Sequence, residues 1–498
     1  MKSQNQKQRT RNLLNLQKGQ ELKKVKGKKV TIVGLARSGA GAANLLSLMG
    51  ADVTVTDIKR EDELKSYIQN INKKVKLVLG SHPEYLFKEA DLVVVSPGVP
   101  LDISPLSLAR SNGVPVIGEL ELAYRITVSG LNEEERIINC NKGFLAVTGT
   151  NGKSTTTSLL DFMMNKGGFK TLLGGNIGNA LTEEILKSAG VRADKKTVDF
   201  VVVEVSSFQL EAIEKFKPVV ASLLNITPDH LDRYHSMKDY IDAKAKIFMN
   251  QTEEDYLVLN YDDDETRKLY YSELKSIKPQ IYFFSRKHDV KGMYIKDGYI
   301  YCNIPDITGE KNPSILINAD DIRIKGVHNL ENAMAASAMA LLAGCPVNSI
   351  IDSLKEFEGL EHRLEFVREI NGVSYINDSK GTNVAAVMKS LEGFESPVIL
   401  IAGGRDKAGD FTALRELVKE KVKSLILIGE ASVKIKKALG DLVNTYTASS
   451  LKDAIEIAQR EAKKGDVVLL SPACASFDMF RDFEDRGRQF KDIVRRLK

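Results

Sequence analysis

Gly149-Thr150-Asn151-Gly152-Lys153-Ser154 decides the reading of this chain. The apolar run Phe144-Leu145-Ala146-Val147-Thr148 before it reads as a buried strand, and Thr155-Thr156-Thr157-Ser158-Leu159-Leu160 after it as the start of a helix. A glycine turn between a strand and a helix N-terminus is a phosphate cradle. Its N–H groups point inward, the helix dipole adds partial positive charge, and a lysine neutralises the outer phosphates. The hydroxyl of Ser154 or Thr155 is placed to reach Mg²⁺. The general pattern has a glycine five residues before Gly152, where this chain has Val147, so the turn is a variant form. An ordinary turn with a surface lysine would not combine turn, lysine and hydroxyl in this order.

Outward from this turn, strands alternate with helices along the chain. Toward the N-terminus lie Val30-Thr31-Ile32-Val33-Gly34, the turn Gly34 to Gly41, Asp52 to Asp57, and Leu92 to Gly98. Toward the C-terminus lie Asp199 to Glu204, Val219 to Leu224, Ser396 to Gly404, Ser424 to Gly429 and Asp466 to Ser471. This rhythm predicts parallel sheets covered by helices. The Gly34 turn followed by a strand ending in Asp57 suggests a Rossmann-like nucleotide site. Ala36 stands where the middle glycine normally lets a pyrophosphate approach the backbone. A mononucleotide or nucleotide-sugar site is therefore expected ahead of nicotinamide or flavin.

The chain has 498 residues, too many for one core. Its 43% hydrophobic and 28% charged content is ordinary for a globular protein, and no apolar run approaches a membrane span. No apolar h-region follows the basic N-terminus, so no secretory signal is expected. Cys140, Cys302, Cys345 and Cys474 are scattered without a CxxC pair, which suits a reduced cytoplasmic setting without structural zinc. Residues 1–29 hold ten Lys or Arg and one acid, Glu21, a charge of +9 that leaves −4 on the rest of a chain whose formal charge is +5. That segment is expected to be a disordered, solvated tail; contact with nucleic acid or an anionic membrane surface is the alternative.

Several residues outside the phosphate turn carry chemistry. Glu204 ends a buried strand one strand after the turn, where a carboxylate can hold Mg²⁺; helix capping is the alternative, since Ser206 and Ser207 follow. His230 lies in the polar loop Asn225 to Arg233 at a sheet edge where α/β sites form. Lys244 lies on an amphipathic helix, and spacing does not separate it from Lys246. Cys474 follows an apolar strand with no histidine nearby, so it reads as packing rather than as a nucleophile.

The phosphate turn, Glu204-Val205-Ser206-Ser207, Asp229-His230 and Gly326 to Asn332 together resemble the Mur ligases, ATP-dependent amino-acid ligases of peptidoglycan precursor synthesis. Asn377-Asp378-Ser379-Lys380-Gly381-Thr382-Asn383, Gly403 to Phe411, Ser471 to Asp478 and Phe483 to Gly487 resemble the D-glutamate-adding members. The likeness runs from about residue 29 to the C-terminus. It implies an α/β fold of three domains: a Rossmann-like UDP-substrate domain at 29–118, a central P-loop ATPase-like domain at 119–359, and a Rossmann-like amino-acid-binding domain at 360–498, after the extension 1–28.

The implied reaction adds D-glutamate to UDP-N-acetylmuramoyl-L-alanine through an acyl phosphate, with ATP and Mg²⁺. Another Mur ligase, or a folylpolyglutamate synthase-like ligase, is the rival enzyme. A catalytically silent nucleotide-binding protein is the rival of another class. By resemblance, Lys153, Glu204, His230 and Lys244 carry catalysis. Gly149, Thr150, Asn151, Gly152, Lys153, Ser154 and Thr155 hold the ATP phosphates, Asn329 and Asn332 the base, and Arg363 and Asp378 close over the nucleotide. Ser154 or Thr155 and Glu204 hold one Mg²⁺. His230 and Lys244 hold a second, the lysine being carbamylated. Gly34, Ser38, Gly39, Asp57, Ile58, Gly98 and Asn176 contact the nucleotide sugar. Thr382, Lys407, Ser476, Phe477 and Phe483 contact D-glutamate, Phe477 standing where some relatives have leucine. A cytoplasmic monomer acting on small molecules, without nucleic-acid binding or membrane insertion, is expected.

Overall fold

The computed structural model describes residues 25–128, 138–189, 196–230, 233–272, 278–305, 313–394, 396–406 and 409–497. Most of the basic tail, together with Leu231, Asp232 and Lys407, lies outside them. The chain divides into two compact units. One is Met1–Lys153 with Leu160–Phe283 and Ala338–Pro346; the other is Ser154–Leu159 with Phe284–Ser337 and Val347–Lys498.

The first unit opens with strands β1 (Lys29–Val33), β2 (Asp52–Asp57), β3 (Lys76–Leu79), β4 (Leu92–Val95) and β5 (Val116–Gly118) in the order β3-β2-β1-β4-β5. Every pairing is parallel. Strand order reverses between β1 and β4, so the turns after them splay apart and leave a crevice at their C-terminal ends. The same unit contains β6 (Ile138–Thr148), β7 (Thr171–Gly175), β8 (Lys196–Glu204), β9 (Val220–Leu223), β10 (Tyr256–Asn260) and β11 (Gln280–Ser285), in the order β11-β10-β9-β6-β8-β7. β6 is central and runs parallel to both β8 and β9, so the phosphate turn at its end emerges mid-sheet. Tyr124, Phe144 and Phe216 meet edge to face at 5.4–5.6 Å beneath it. This is the favoured arrangement of three buried rings. Glu121, fully buried, is held by Arg125 Nε at 2.7 Å and by the N–H groups of Glu214, Lys215 and Phe216 at 2.9–3.0 Å. The charge is thus compensated on every side, as burial requires.

The second unit contains an antiparallel ladder of β12 (Gly292–Lys296), β13 (Tyr299–Asn303) and β14 (Ser314–Asn318). It also holds a six-stranded sheet of β15 (Glu365–Ile370), β16 (Val373–Asn377), β17 (Val398–Gly403), β18 (Val422–Ile428), β19 (Asn444–Thr447) and β20 (Val467–Leu470), ordered β15-β16-β20-β17-β18-β19. All its pairings are parallel except the β15–β16 hairpin. Its central strands β20, β17 and β18 are rich in Val, Ile and Leu because helices cover both faces. Among the described residues no helix is long and apolar enough to cross a membrane.

Candidate active site

The phosphate turn is held from below and from the side. Thr148 Oγ1 donates to the Val205 carbonyl at 2.8 Å, tying the end of β6 to the end of β8. Asn225, just after β9, clamps the turn: its Oδ1 accepts from the Asn151 N–H at 2.8 Å and its Nδ2 donates to the Asn151 carbonyl at 3.2 Å. Thr150 Oγ1 lies 3.1 Å from the Tyr240 hydroxyl and accepts from the Thr227 N–H at 3.0 Å. Gly149 has φ +154°, and a Cβ there would meet Leu224 Cβ at 3.0 Å, so only glycine turns this corner. Helix Lys153–Lys166 starts directly after left-handed Gly152. Lys153 Nζ donates to the carbonyls of Gly149 and Thr150 at 2.9 and 2.8 Å.

Lys244 and Lys246 now separate. Lys246 Nζ reaches the Glu211 carbonyl at 2.9 Å and is half-buried. Lys244 is fully buried, its Nζ 2.8 Å from the Gly149 carbonyl and 4.6 Å from the centre of the Tyr240 ring. Burial pushes the Lys244 ammonium well below its ordinary pKa. The charge of Lys153 adds to the effect, against the opposing pull of Asp229 and Glu204. Glu204 is buried, and its Oε1 accepts from Asn176 Nδ2 at 2.7 Å. Helix capping falls instead to Ser206, with Gln209 completing a capping box.

Glu204 Oε2 is buried with no hydrogen-bond partner. A buried carboxylate oxygen without a donor fits a bound cation, so the residues present suit Mg²⁺. No cluster of three or more His, Cys, Asp or Glu able to hold a metal occurs among the described residues. His230 has φ +56°, its ring packs on Phe208 at 4.8 Å, and its Nε2 lies 3.6 Å from Asp229 Oδ2.

In the same unit, a cavity of about 610 Å³ opens at the β1/β4 crevice. Gly34, Ser38, Asp57, Ile58, Gly98 and Asn176, chosen from separate stretches of sequence, all line it. Gly39 lies behind the turn; a Cβ there would come 1.9 Å from the Gly34 carbonyl oxygen, so a side chain would push the turn outward. Asp57 holds the turn from within, its Oδ2 accepting from the Leu35 N–H at 2.7 Å. Arg37, which carries no role in the sequence motif, also lines the cavity.

The second unit brings together the third-domain motifs. Asp378 is buried, and its Oδ2 accepts from Ser390 Oγ at 2.7 Å and Ser471 Oγ at 2.6 Å. Burial raises its pKa, partly opposed by those bonds and by the charge of Arg363. Asn332 Nδ2 donates to Asn329 Oδ1 at 3.3 Å, and Thr156 Oγ1 donates to Asn332 Oδ1 at 3.2 Å. Ser154 is buried, as is Thr155, whose hydroxyl has no hydrogen-bond partner. Lys380 Nζ sits 3.9 Å over the Phe483 ring, and Thr382 is half-buried nearby in sequence. Ser476 is buried, whereas Phe477 is 62% exposed.

Arg486 lies in the Phe483 to Gly487 motif, which carried no role for it. It is fully buried, donating from Nε to Ser379 Oγ at 2.9 Å, from Nη2 to the Ser379 carbonyl at 2.8 Å and from Nη1 to the Cys474 carbonyl at 3.3 Å. It thereby ties two of the motifs together. Burial pushes the Cys474 thiol up to about 12, which agrees with a packing role.

Three family descriptions match this chain: the MurD-like N-terminal domain of Mur ligases over residues 28–118, the Mur ligase middle domain over 147–340, and the Mur ligase glutamate ligase domain over 362–474. The UDP-N-acetylmuramoylalanine--D-glutamate ligase of Geotalea daltonii is 46% identical over 95% of this chain and 98% of its own length. The ligase of the same name from Clostridioides difficile is 41% identical over 95% of this chain and 100% of its own. Among solved structures, the UDP-N-acetylmuramate-alanine ligase MurC of Thermotoga maritima aligns with a TM-score of 0.56 at 19% identity, covering 95% of this chain and 100% of that one, a likeness of fold. With its sheets, its glycine turn and full-length relatives in agreement, this chain belongs to the Mur ligase family.

Proposed function

We propose that this protein is an ATP-dependent ligase that joins D-glutamate to UDP-N-acetylmuramoylalanine by an amide bond, in peptidoglycan precursor synthesis. One observation carries the reading: Lys153 and the buried Lys244 both donate to the Gly149 carbonyl of the phosphate turn. The names of the curated relatives supply the substrates.

The chemistry follows from the substrates. The alanyl carboxylate attacks the γ-phosphorus of ATP, an acyl phosphate forms, and ADP leaves. The glutamate amine then attacks the acyl carbonyl, and the tetrahedral adduct collapses to the amide and releases inorganic phosphate. Lys153 neutralises the outer phosphates during the first transfer, and the turn's N–H groups align them. Mg²⁺, when bound, would draw charge from the phosphoryl oxygens, with Glu204 helping to hold one ion and His230 and Lys244 a second. Lys244 suits this role as a carbamate: burial lowers its pKa and favours the neutral amine, which adds to CO₂ with loss of one proton and leaves an anionic oxygen ligand.

The cavity at the β1/β4 crevice takes the UDP moiety, with Asn176 on its rim. In the second unit we assign Asn329 and Asn332 to the adenine, Arg363 and Asp378 to the nucleotide, and Thr382, Lys407, Ser476, Phe477 and Phe483 to D-glutamate. We divide the chain at 29–118, 119–359 and 360–498, and we place it in the cytoplasm as a monomer that handles small molecules and does not bind nucleic acid.

Phosphate release from Mg²⁺-ATP and UDP-N-acetylmuramoyl-L-alanine, across a panel of D- and L-amino acids, tests the reading. Release with D-glutamate alone is expected. Release with a different amino acid moves the protein to a sibling activity. Folded protein that binds ATP yet releases nothing overturns the ligase assignment.

A further inference from the structure

We infer that the Arg37 side chain reads the diphosphate of the nucleotide substrate, adding a charged contact beside the glycine turn. This rests on the reading of the β1/β4 cavity as a UDP site.

Part of the turn is already committed. Its Gly34 N–H is committed to the Thr56 carbonyl at 2.9 Å, and its Leu35 N–H to Asp57 Oδ2 at 2.7 Å. Ala36 puts a methyl group where a glycine would let phosphate approach the backbone. Asp57 and Glu63 add two carboxylates to the cavity lining, and those repel a dianion. A cation beside the uncapped start of helix Arg37–Leu48 would add to what its N–H groups offer a diphosphate.

Arg37 is placed to be that cation. It is the first residue of helix Arg37–Leu48, so its own position shares the positive end of the helix dipole. It lines the same cavity. Its guanidinium reaches Gly178, donating from Nη1 to that carbonyl at 2.8 Å, in the turn that also carries Asn176. One N–H of the planar fork is used there, and four remain. Two parallel N–H groups match two phosphate oxygens, which a lysine ammonium does not reproduce. The other cation of the lining, Lys59, adjoins Asp57 and Ile58, and its backbone N–H bonds Asp57 Oδ1 at 2.9 Å. That leaves Arg37 as the cation on the Asn176 side.

Calorimetric titration of the full chain with UDP and with uridine, for wild type, Arg37→Leu and Arg37→Lys, tests this. Loss of a charge-assisted contact is expected to weaken UDP binding by Arg37→Leu about 10- to 100-fold, with uridine affinity held within about twofold. Arg37→Lys should recover part of the loss, and the wild-type advantage for UDP should shrink as salt rises. Unchanged UDP affinity in Arg37→Leu overturns the inference. So does an equal loss for uridine and UDP, because Arg37 would then shape the cavity instead of reading the phosphates. Wild-type protein that binds no UDP while still releasing phosphate from ATP overturns the cavity assignment beneath it.

Discussion

Lys153 and Lys244 share one acceptor: the Gly149 carbonyl oxygen receives a hydrogen bond from each, at 2.9 and 2.8 Å. Two ammonium groups this close disfavour each other, and the more deeply buried one yields its proton first. Lys244 is that one. Replacing it by alanine is expected to lower the rate of phosphate release about 10²- to 10³-fold, the scale seen when a preorganised electrostatic group is removed. Short carboxylates or high bicarbonate bear on the carbamate directly: the carboxylates should restore part of the activity of Lys244→Ala, and bicarbonate should restore wild type after CO₂ depletion. A fully active Lys244→Ala protein refutes the assignment.

The same lysine has an opposite effect on stability. Its folded pKa lies below the ordinary 10.5, so the unfolded chain binds more protons and burial of Lys244 costs stability below that pH. In CO₂-free buffer, Lys244→Met should raise the melting temperature at pH 7, and the gain should shrink as pH climbs toward 10.5. Melting curves at pH 7 and pH 9.5 check the sign.

Glu204 is aimed by Asn176, whose Nδ2 holds Oε1 at 2.7 Å while Oε2 has no donor. Glu204→Gln should abolish most Mg²⁺-dependent turnover. Asn176→Ala leaves the carboxylate in place but loose, so the Mg²⁺ concentration for half-maximal rate should rise about 10- to 100-fold. A Mg²⁺ titration of both variants separates the two effects.

His328 opens helix Val327–Leu342, with its Nδ1 buried and unpartnered. Burial, with the charges of Arg363 and Lys389, lowers its pKa from 6.5 to about 4. The unfolded chain therefore takes up a proton that the folded chain refuses. Stability should fall as pH drops from 6.5 and level off below about 4, by up to roughly 3 kcal/mol from this group. His328→Gln should flatten that part of the denaturation profile; an unchanged slope would remove His328 as its source.

Ser471 donates to the buried carboxylate of Asp378 at 2.6 Å. Ser471→Ala strips a donor from a buried acid and should cost about 1–3 kcal/mol. Urea denaturation measures it.

Much of this architecture was legible because alternating short apolar runs and glycine turns leave a parallel sheet few other options. The strand read at Asp52 to Asp57 spans Asp52–Asp57, and the one read at Leu92 to Gly98 occupies Leu92–Val95, its remainder forming the turn. The helix after the phosphate turn was legible from Thr155; it begins two residues earlier, at Lys153, directly after left-handed Gly152. The ladder of β12 to β14 was not, since its five-residue strands mix apolar, aromatic and polar residues without the long apolar run of the parallel strands. At the site, spacing left Lys244 and Lys246 equivalent, for both lie near one helix end; what separates them is burial against Gly149, a contact 95 residues distant in sequence. The role of Arg486 was hidden for the same reason. Its partners Ser379 and Cys474 come from other strand ends, which only the sheet order brings near.

His230 holds a left-handed backbone, φ +56°. For a residue with a Cβ that conformation costs about 1–2 kcal/mol, and glycine would escape it. Populations of this gene selected only to survive heating should therefore drift toward glycine at position 230, while populations selected for growth should not. The frequency at which the histidine is lost in the first and kept in the second would measure, at a single codon, how much robustness the enzyme forgoes for its imidazole.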